Sequence, residues 1–144
     1  MALTLNHYSI RTADLDASRY FYESVLGLTV GPRPAFPFPG VWMYTGPHGD
    51  YANAAVHIVG ADASAPERLQ DYLGDRASAQ TGTGDLDHVA FYADDLEAML
   101  AHLNSLNVAF TRRGVPNVGL QQLFLTDPNG IVVELNYRAP PVPA

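Results

Sequence analysis

Polar and apolar residues alternate from Leu3 to Arg11 and again from about Asp87 to Tyr92, the two-residue period of a β-strand with one covered face. After each stretch the period lengthens. Asp14 is placed to cap a helix over about Leu15–Leu26, with Gly27 to end it. Asp94 or Asp95 caps a second helix, in which Leu96, Met99, Leu100, Leu103 and Leu106 recur at helical spacing and form one apolar stripe. Strands are predicted near Thr29–Gly31, Val41–Thr45 and Ala54–Val59, then near Val108–Arg112, Leu120–Thr126 and Ile131–Tyr137. The last two flank Asp127-Pro128-Asn129-Gly130, whose proline and glycine occupy positions that a tight turn favours. The pattern is β-α-β-β-β, twice.

The fold class is therefore α+β: a single domain, 1–144, of two βαβββ modules (about 3–60 and 84–138) joined by a linker over 61–83. A short helix is predicted in the linker at Pro66–Leu73, followed by a flexible Thr81-Gly82-Thr83-Gly84 stretch. The proline-rich tail Ala139–Ala144 cannot continue a sheet.

The two halves are alike in sequence as well as in pattern. Leu5-Asn6-His7-Tyr8-Ser9-Ile10 matches Leu86-Asp87-His88-Val89-Ala90-Phe91 at an offset of 81 residues (7 to 88), and Asp14-Leu15-Asp16 matches Asp95-Leu96-Glu97 at the same offset. Near the ends, Ala55-Val56-His57-Ile58 resembles Val132-Val133-Glu134-Leu135 at an offset of 77 (57 to 134). Each half thus opens with a strand bearing His and closes with a strand bearing His or Glu.

Alternation places His7 on a face with Leu5, Ser9 and Arg11, opposite Tyr8 and Ile10. His88 shares a face with Ala90 and Tyr92, Glu134 with Val132 and Asn136, and His57 points away from Val56 and Ile58. The apolar sets are what the helices would cover, so all four polar residues face away from the helix-packed side, and two twisted sheets would bring them into one concavity. A single strand histidine is more often a hydrogen-bonded structural residue, but equivalent positions in both halves favour a site. A carboxylate buried beside imidazoles is costly unless it is paired or binds a cation, and metal ligation removes that cost. His48, in a Gly-Pro-His-Gly loop, and His102, on the second helix, fit surface roles.

Composition narrows the function. The net charge of −7 argues against a nucleic-acid partner and against adsorption to an anionic membrane. With no cysteine, thiolate metal sites and a Cys nucleophile are excluded. The N-terminus lacks the features of a signal peptide and no run is long enough to span a bilayer, so a cytoplasmic location is expected.

These residues resemble the vicinal oxygen chelate superfamily, which includes glyoxalase I, methylmalonyl-CoA epimerase, fosfomycin- and bleomycin-resistance proteins and extradiol dioxygenases. The resemblance runs from about Leu3 to Tyr137. Its carriers are Leu5-Asn6-His7, Tyr20-Phe21-Tyr22-Glu23-Ser24-Val25-Leu26-Gly27-Leu28, Leu86-Asp87-His88-Val89-Ala90-Phe91 and Asp127-Pro128-Asn129-Gly130-Ile131-Val132-Val133-Glu134. It implies a cupped, eight-stranded mixed barrel with helices outside, around one divalent metal per site held at His7, His57, His88 and Glu134. It also implies a homodimer, with the site shared between chains in many members. His57 stands where glyoxalase I usually has glutamate, so the glyoxalase substrate does not carry over.

Imidazole and carboxylate donors suit Zn, Ni, Co, Mn or Fe(II). His7, His88 and Glu134 alone leave three octahedral positions, enough for a bidentate catechol and O2, as in an Fe(II) extradiol ring-cleaving dioxygenase. If His57 also binds, two positions remain. Those suit a small bidentate oxygen substrate and glyoxalase- or epimerase-like isomerase/lyase chemistry next to a carbonyl, with Glu134 as the base. A non-catalytic, bleomycin-resistance-like binding protein is the contrasting class. Candidate substrate-binding residues are Trp42 and Tyr44, which share a strand face, and Arg11 and Tyr92, on the metal face near the module ends. Gln122 is a weaker candidate, because alternation does not settle the facing of its strand. The loop Gly31–Gly40, rich in proline and aromatics, is equally a lid or an edge cover.

Overall fold

The computed structural model describes residues 5–61, 64–73, 86, 88–115 and 119–138; the predicted strand start at Leu3, the Thr81–Gly84 stretch and the tail Ala139–Ala144 lie outside them. The described elements run β1 (Tyr8–Thr12), α1 (Leu15–Tyr20), β2 (Thr29–Gly31), β3 (Gly40–Tyr44), β4 (Ala54–Gly60), α2 (Pro66–Leu73), β5 (His88–Ala93), α3 (Leu96–Ser105), β6 (Thr111–Val115), β7 (Leu120–Thr126) and β8 (Val132–Arg138). The chain divides into two compact units, Met1–Thr83 and Gly84–Ala144. Each holds one four-stranded mixed sheet, ordered β1-β4-β3-β2 in the first and β5-β8-β7-β6 in the second.

In the first unit β1 runs parallel to β4 while β3 is antiparallel to both its neighbours. Asp14 caps α1 by accepting a hydrogen bond from the Ala17 N–H (3.0 Å), and the buried Ser18 hydroxyl donates to Thr12 Oγ1 (2.9 Å), tying helix to strand. The helix expected through Leu26 ends in a π-helical turn, Phe21–Val25, with the Leu26 N–H bonded back to the Phe21 carbonyl. That turn buries Phe21, Tyr22 and Val25. Gly27 then adopts φ +83°, where a side chain would be strained, and its N–H and that of Leu28 satisfy the Glu23 and Tyr22 carbonyls. α1 packs on β3 and β4, over the face carrying Ile10, Met43, Val56 and Ile58, all buried.

β1 starts at Tyr8, later than alternation suggests. The reason lies across the ladder: Met43 pairs with Val56 but Tyr44 pairs with Ala54, so Ala55 is an extra, bulged residue on β4, and the parallel pairing ends at Tyr8–Val56. The linker helix α2 forms as predicted and is packed. Its Leu69 is fully buried against Phe38 and Val59. By alternation Val59 shares the His57 face, so a helix covers part of that face too.

The second unit repeats the plan. Asp95 caps α3 from a left-handed conformation, φ 60°, accepting from the Ala98 N–H at 3.1 Å. β6 begins three residues later than predicted, because Leu106 and Asn107 (φ 57°) terminate α3 and the Val108 N–H bonds back to the Leu103 carbonyl. At the β7–β8 turn Asp127 Oδ1 accepts from the N–H groups of Asn129 and Ile131, both at 2.8 Å, and Gly130 takes φ +87°.

The repeat is maintained in register. Ser9 faces His57 across β1–β4, and Ala90 faces Glu134 across β5–β8. His7 and His88 each lie two residues before those partners; His88 is still paired, with Val132, whereas His7 lies just ahead of the last β1–β4 pair, Tyr8–Val56.

Candidate functional site

In the first unit the candidates form a stack. His57 on β4 lies between His7 (ring centroids 3.8 Å apart, planes 15° apart) and Trp42 (3.7 Å, 6°), its cross-strand partner. Tyr51 meets Trp42 edge-on at 5.3 Å, and Phe36 lies tilted at 6.4 Å. Burial, then the neighbouring His7, push the His57 pKa down to about 4; a backbone hydrogen bond with Ala54 pulls partly the other way. His57 is thus a neutral imidazole near neutral pH, the form with a lone pair to offer a metal. His7 is exposed, just ahead of β1, and its Nδ1 hydrogen-bonds Asn6 Oδ1. Ring lone pairs lie in the ring planes, and parallel planes do not converge on one point. For both histidines to serve one cation, one ring must turn, and the exposed His7 has the room.

In the second unit the pair is a carboxylate and an imidazole. His88 Nε2 lies 4.0 Å from Glu134 Oε2. Two donors with bonds of about 2.0–2.2 Å to one tetrahedral or octahedral cation sit roughly 3.0–3.5 Å apart, so the exposed His88 ring must close in by about half an ångström or more for the two to share one. His88 is exposed, whereas Glu134 is 8% exposed. Both carboxylate oxygens are held: Gln122 Nε2 donates to Oε1 at 2.7 Å, and Asn136 Nδ2 donates to Oε2 at 3.2 Å. Gln122 also donates to Asn136 Oδ1 at 2.9 Å and accepts on Oε1 from Arg113 Nε (2.9 Å) and an Arg113 terminal nitrogen (2.7 Å). Among the described residues the titratable basic group facing Glu134 is the His88 imidazole, not an arginine or lysine. A buried carboxylate oriented by neutral amides and facing an imidazole fits a divalent cation, which supplies the compensating charge.

The remaining candidates scatter. Arg11 lies on β1 opposite Val59, partly buried. Tyr44 is 1% exposed; its ring covers Gly31, where a Cβ would come within 2.5 Å of it, and its hydroxyl donates to the Pro32 carbonyl at 2.6 Å. Burial, then Tyr51, raise its pKa, so the hydroxyl stays protonated. Tyr92 is 72% exposed, with the Arg138 guanidinium 4.0 Å from its ring centroid. It lines a cleft of about 850 Å³ at the junction of β5 and α3, with Asp94, Asp95, Glu97 and Tyr137. None of the four candidate ligands lines that cleft. The Gly31–Gly40 loop is stapled by Arg33, which donates to the Phe38 carbonyl (2.8 Å) and lies over the Phe36 and Phe38 rings.

Sequence reasoning undervalued Gln122 and did not single out Arg113 or Asn136 as supports. A signal was available. Asn136 is two residues from Glu134, and once β7 is aligned with β8, Gln122 faces Asn136 and Arg113 faces Gln122.

Known proteins share the family and the fold. Residues 4–135 match the family described as Glyoxalase/Bleomycin resistance protein/Dioxygenase superfamily. The chain is 29% identical to Glyoxylase I 4 of Arabidopsis thaliana, over 92% of this chain and 69% of that protein. It is 30% identical to the uncharacterized protein YaeR of Escherichia coli K12, over 91% of this chain and 93% of that one. Lactoylglutathione lyase from Agrobacterium tumefaciens superposes with a TM-score of 0.64 at 20% identity, over 95% of each chain, a likeness of fold. With the match spanning both units, the chain belongs to the glyoxalase/bleomycin resistance/dioxygenase superfamily.

Proposed function

We propose that this protein is a divalent-metal-dependent enzyme acting on a small bidentate oxygen substrate, with isomerase or lyase chemistry next to a carbonyl. Its cation ligands are His88 and Glu134, with His7 and His57 as the further donors. The observation that carries the reading is the buried Glu134 carboxylate, 4.0 Å from His88 and oriented by neutral donors. These residues would hold a divalent cation, which would supply Lewis acidity toward a substrate carbonyl oxygen. Glu134 also serves as the base when it loosens from the cation. A carboxylate beside the substrate carbon takes a proton there and returns it, while Gln122 and Asn136 keep the group aimed. The half-exposed aromatic wall of Trp42 and Tyr51 excludes water from one side of the His57 imidazole.

The His57 sandwich supports a second reading. An imidazole covered on both faces by His7 and Trp42 can serve as a wall instead of a ligand. The triad His7, His88 and Glu134 then leaves room for a catechol and O2, as in ring-cleaving dioxygenases.

Metal analysis of the purified protein, followed by turnover assays with 2-oxoaldehyde–thiol adducts, α-hydroxythioesters and catechols, tests both. Stoichiometric metal with turnover of either of the first two supports the primary reading. Oxygen uptake by the Fe(II) protein with a catechol supports the second. A protein that binds no stoichiometric metal overturns both and leaves a small-molecule binding protein.

A further inference from the structure

We propose that Gln122, pinned by Arg113, is a positioning residue that presents the Glu134 carboxylate to the cation while keeping a fixed positive charge away from it. The proposal rests on the metal-site reading above.

The geometry is directional. Two N–H groups of Arg113 point at Gln122 Oε1, at 2.9 and 2.7 Å, so that end of the amide is the acceptor and Nε2 must face Glu134. Gln122 is 6% exposed and lies between Arg113 and Asn136 in the ladder, on the Glu134 face. Its amide cannot turn over without setting NH2 against the guanidinium. Asn136 completes the grip on the second oxygen. A carboxylate has about four lone-pair sites, so one neutral donor on each oxygen orients the group and leaves acceptor capacity for a cation.

The placement of Arg113 is the informative part. A guanidinium bonded directly to Glu134 would satisfy the buried carboxylate better than two amides do, and structural stability alone would favour it. It would also compete with any cation for the same oxygens. Here the guanidinium stops one residue short, at Gln122, and its ring-face contact is with Phe124 (5.3 Å to the centroid). The negative charge of Glu134 is thereby kept for something else, with its orientation set through the amide. Supports of this kind, one shell out from a ligand, typically change metal affinity by about 10–100-fold.

The test is Co2+ binding by the full-length protein, followed by calorimetry and by the visible absorption of the bound ion. Gln122→Met keeps length and removes all four side-chain hydrogen bonds, to Glu134, to Asn136 and the two from Arg113; it is expected to weaken Co2+ binding by about 10–100-fold and to shift the absorption bands. Arg113→Met, at an exposed position, releases the amide to turn and is expected to weaken binding by about three- to tenfold, and it carries the test if Gln122→Met does not fold. If both variants bind Co2+ with wild-type affinity and spectrum, even at a lowered denaturation midpoint, the residues are merely structural and the proposal is overturned. If the wild-type protein binds no Co2+, the metal-site reading itself falls, and the proposal with it.

Discussion

The two units hold a candidate ligand at the same register position by opposite means. His57 is supported by flat contact: Trp42 on one face, His7 on the other, and beyond it Val59 packed on Phe38 and Leu69. Glu134 is supported by directed hydrogen bonds from Gln122 and Asn136, with Arg113 behind them. Trp42 and Phe124 are the matching cross-strand partners, and the position two residues on is Val59 in one unit and Asn136 in the other. The difference follows from the donor. A neutral imidazole offers two apolar faces and tolerates an apolar cage, whereas a carboxylate buried without N–H donors would be strongly destabilised. A duplicated scaffold can therefore keep its ligand lattice while each half rebuilds the shell around it.

The largest expected effect breaks the comparison at its centre. Glu134→Ala should weaken divalent-metal binding by more than about 100-fold, while His57→Ala, if the stacked ring is a wall, should change it by less than about tenfold; calorimetry with Zn2+ or Co2+ reads both. Equal losses would make the two positions equivalent ligands. Next, Trp42→Ala should cost about 2–3 kcal/mol of folding free energy in urea unfolding, somewhat below the range for a fully buried aromatic. It should also let the His57 pKa rise from about 4 toward 6.5 in an NMR titration, because burial is the main cause of the shift.

The pH dependence separates the units further. The folded His57 takes up a proton only near pH 4, but the unfolded one does so near 6.5. Between these values the unfolded state binds more protons, so this contribution to stability is complete above about pH 6.5 and is lost as pH falls toward 4. His57→Asn should flatten that part of the stability curve, measured by urea unfolding at pH 7 and pH 4.5. The smallest effects compare the caps. Asp14→Ala should cost about 1 kcal/mol, and Asp95→Ala roughly 1 kcal/mol more, since alanine at φ 60° adds left-handed strain to the lost cap. Thermal unfolding of the two variants reads the difference.

Much of the fold was legible because its signals are local. Caps at Asp14 and Asp95, the stop at Gly27 and the turn at Asp127–Gly130 are each written in a few adjacent residues, and α2 and β7 have the predicted limits. The misses come from interactions across the chain. The late start of β1 depends on a bulge 47 positions away (8 to 55), and the late start of β6 on how α3 terminates. The faces of His57 and Glu134 followed from alternation. The shells around them did not, because Gln122 and Arg113 belong to strands whose facing is fixed only once β6, β7 and β8 are aligned. Tyr44 shows the same limit: facing alone does not reveal that its hydroxyl is already engaged by Pro32.

The bulge at Ala55 has a consequence for how this chain tolerates length changes. Strand parity is a two-valued code, and a deletion within β4 itself, ahead of His57, would ordinarily turn the side chains on one side of it to the other face. Ala55 is the one position there that the β3 ladder skips, so its loss can restore regular pairing while His57 stays opposite Trp42. The bulge marks where this strand can lose a residue without turning its histidine away.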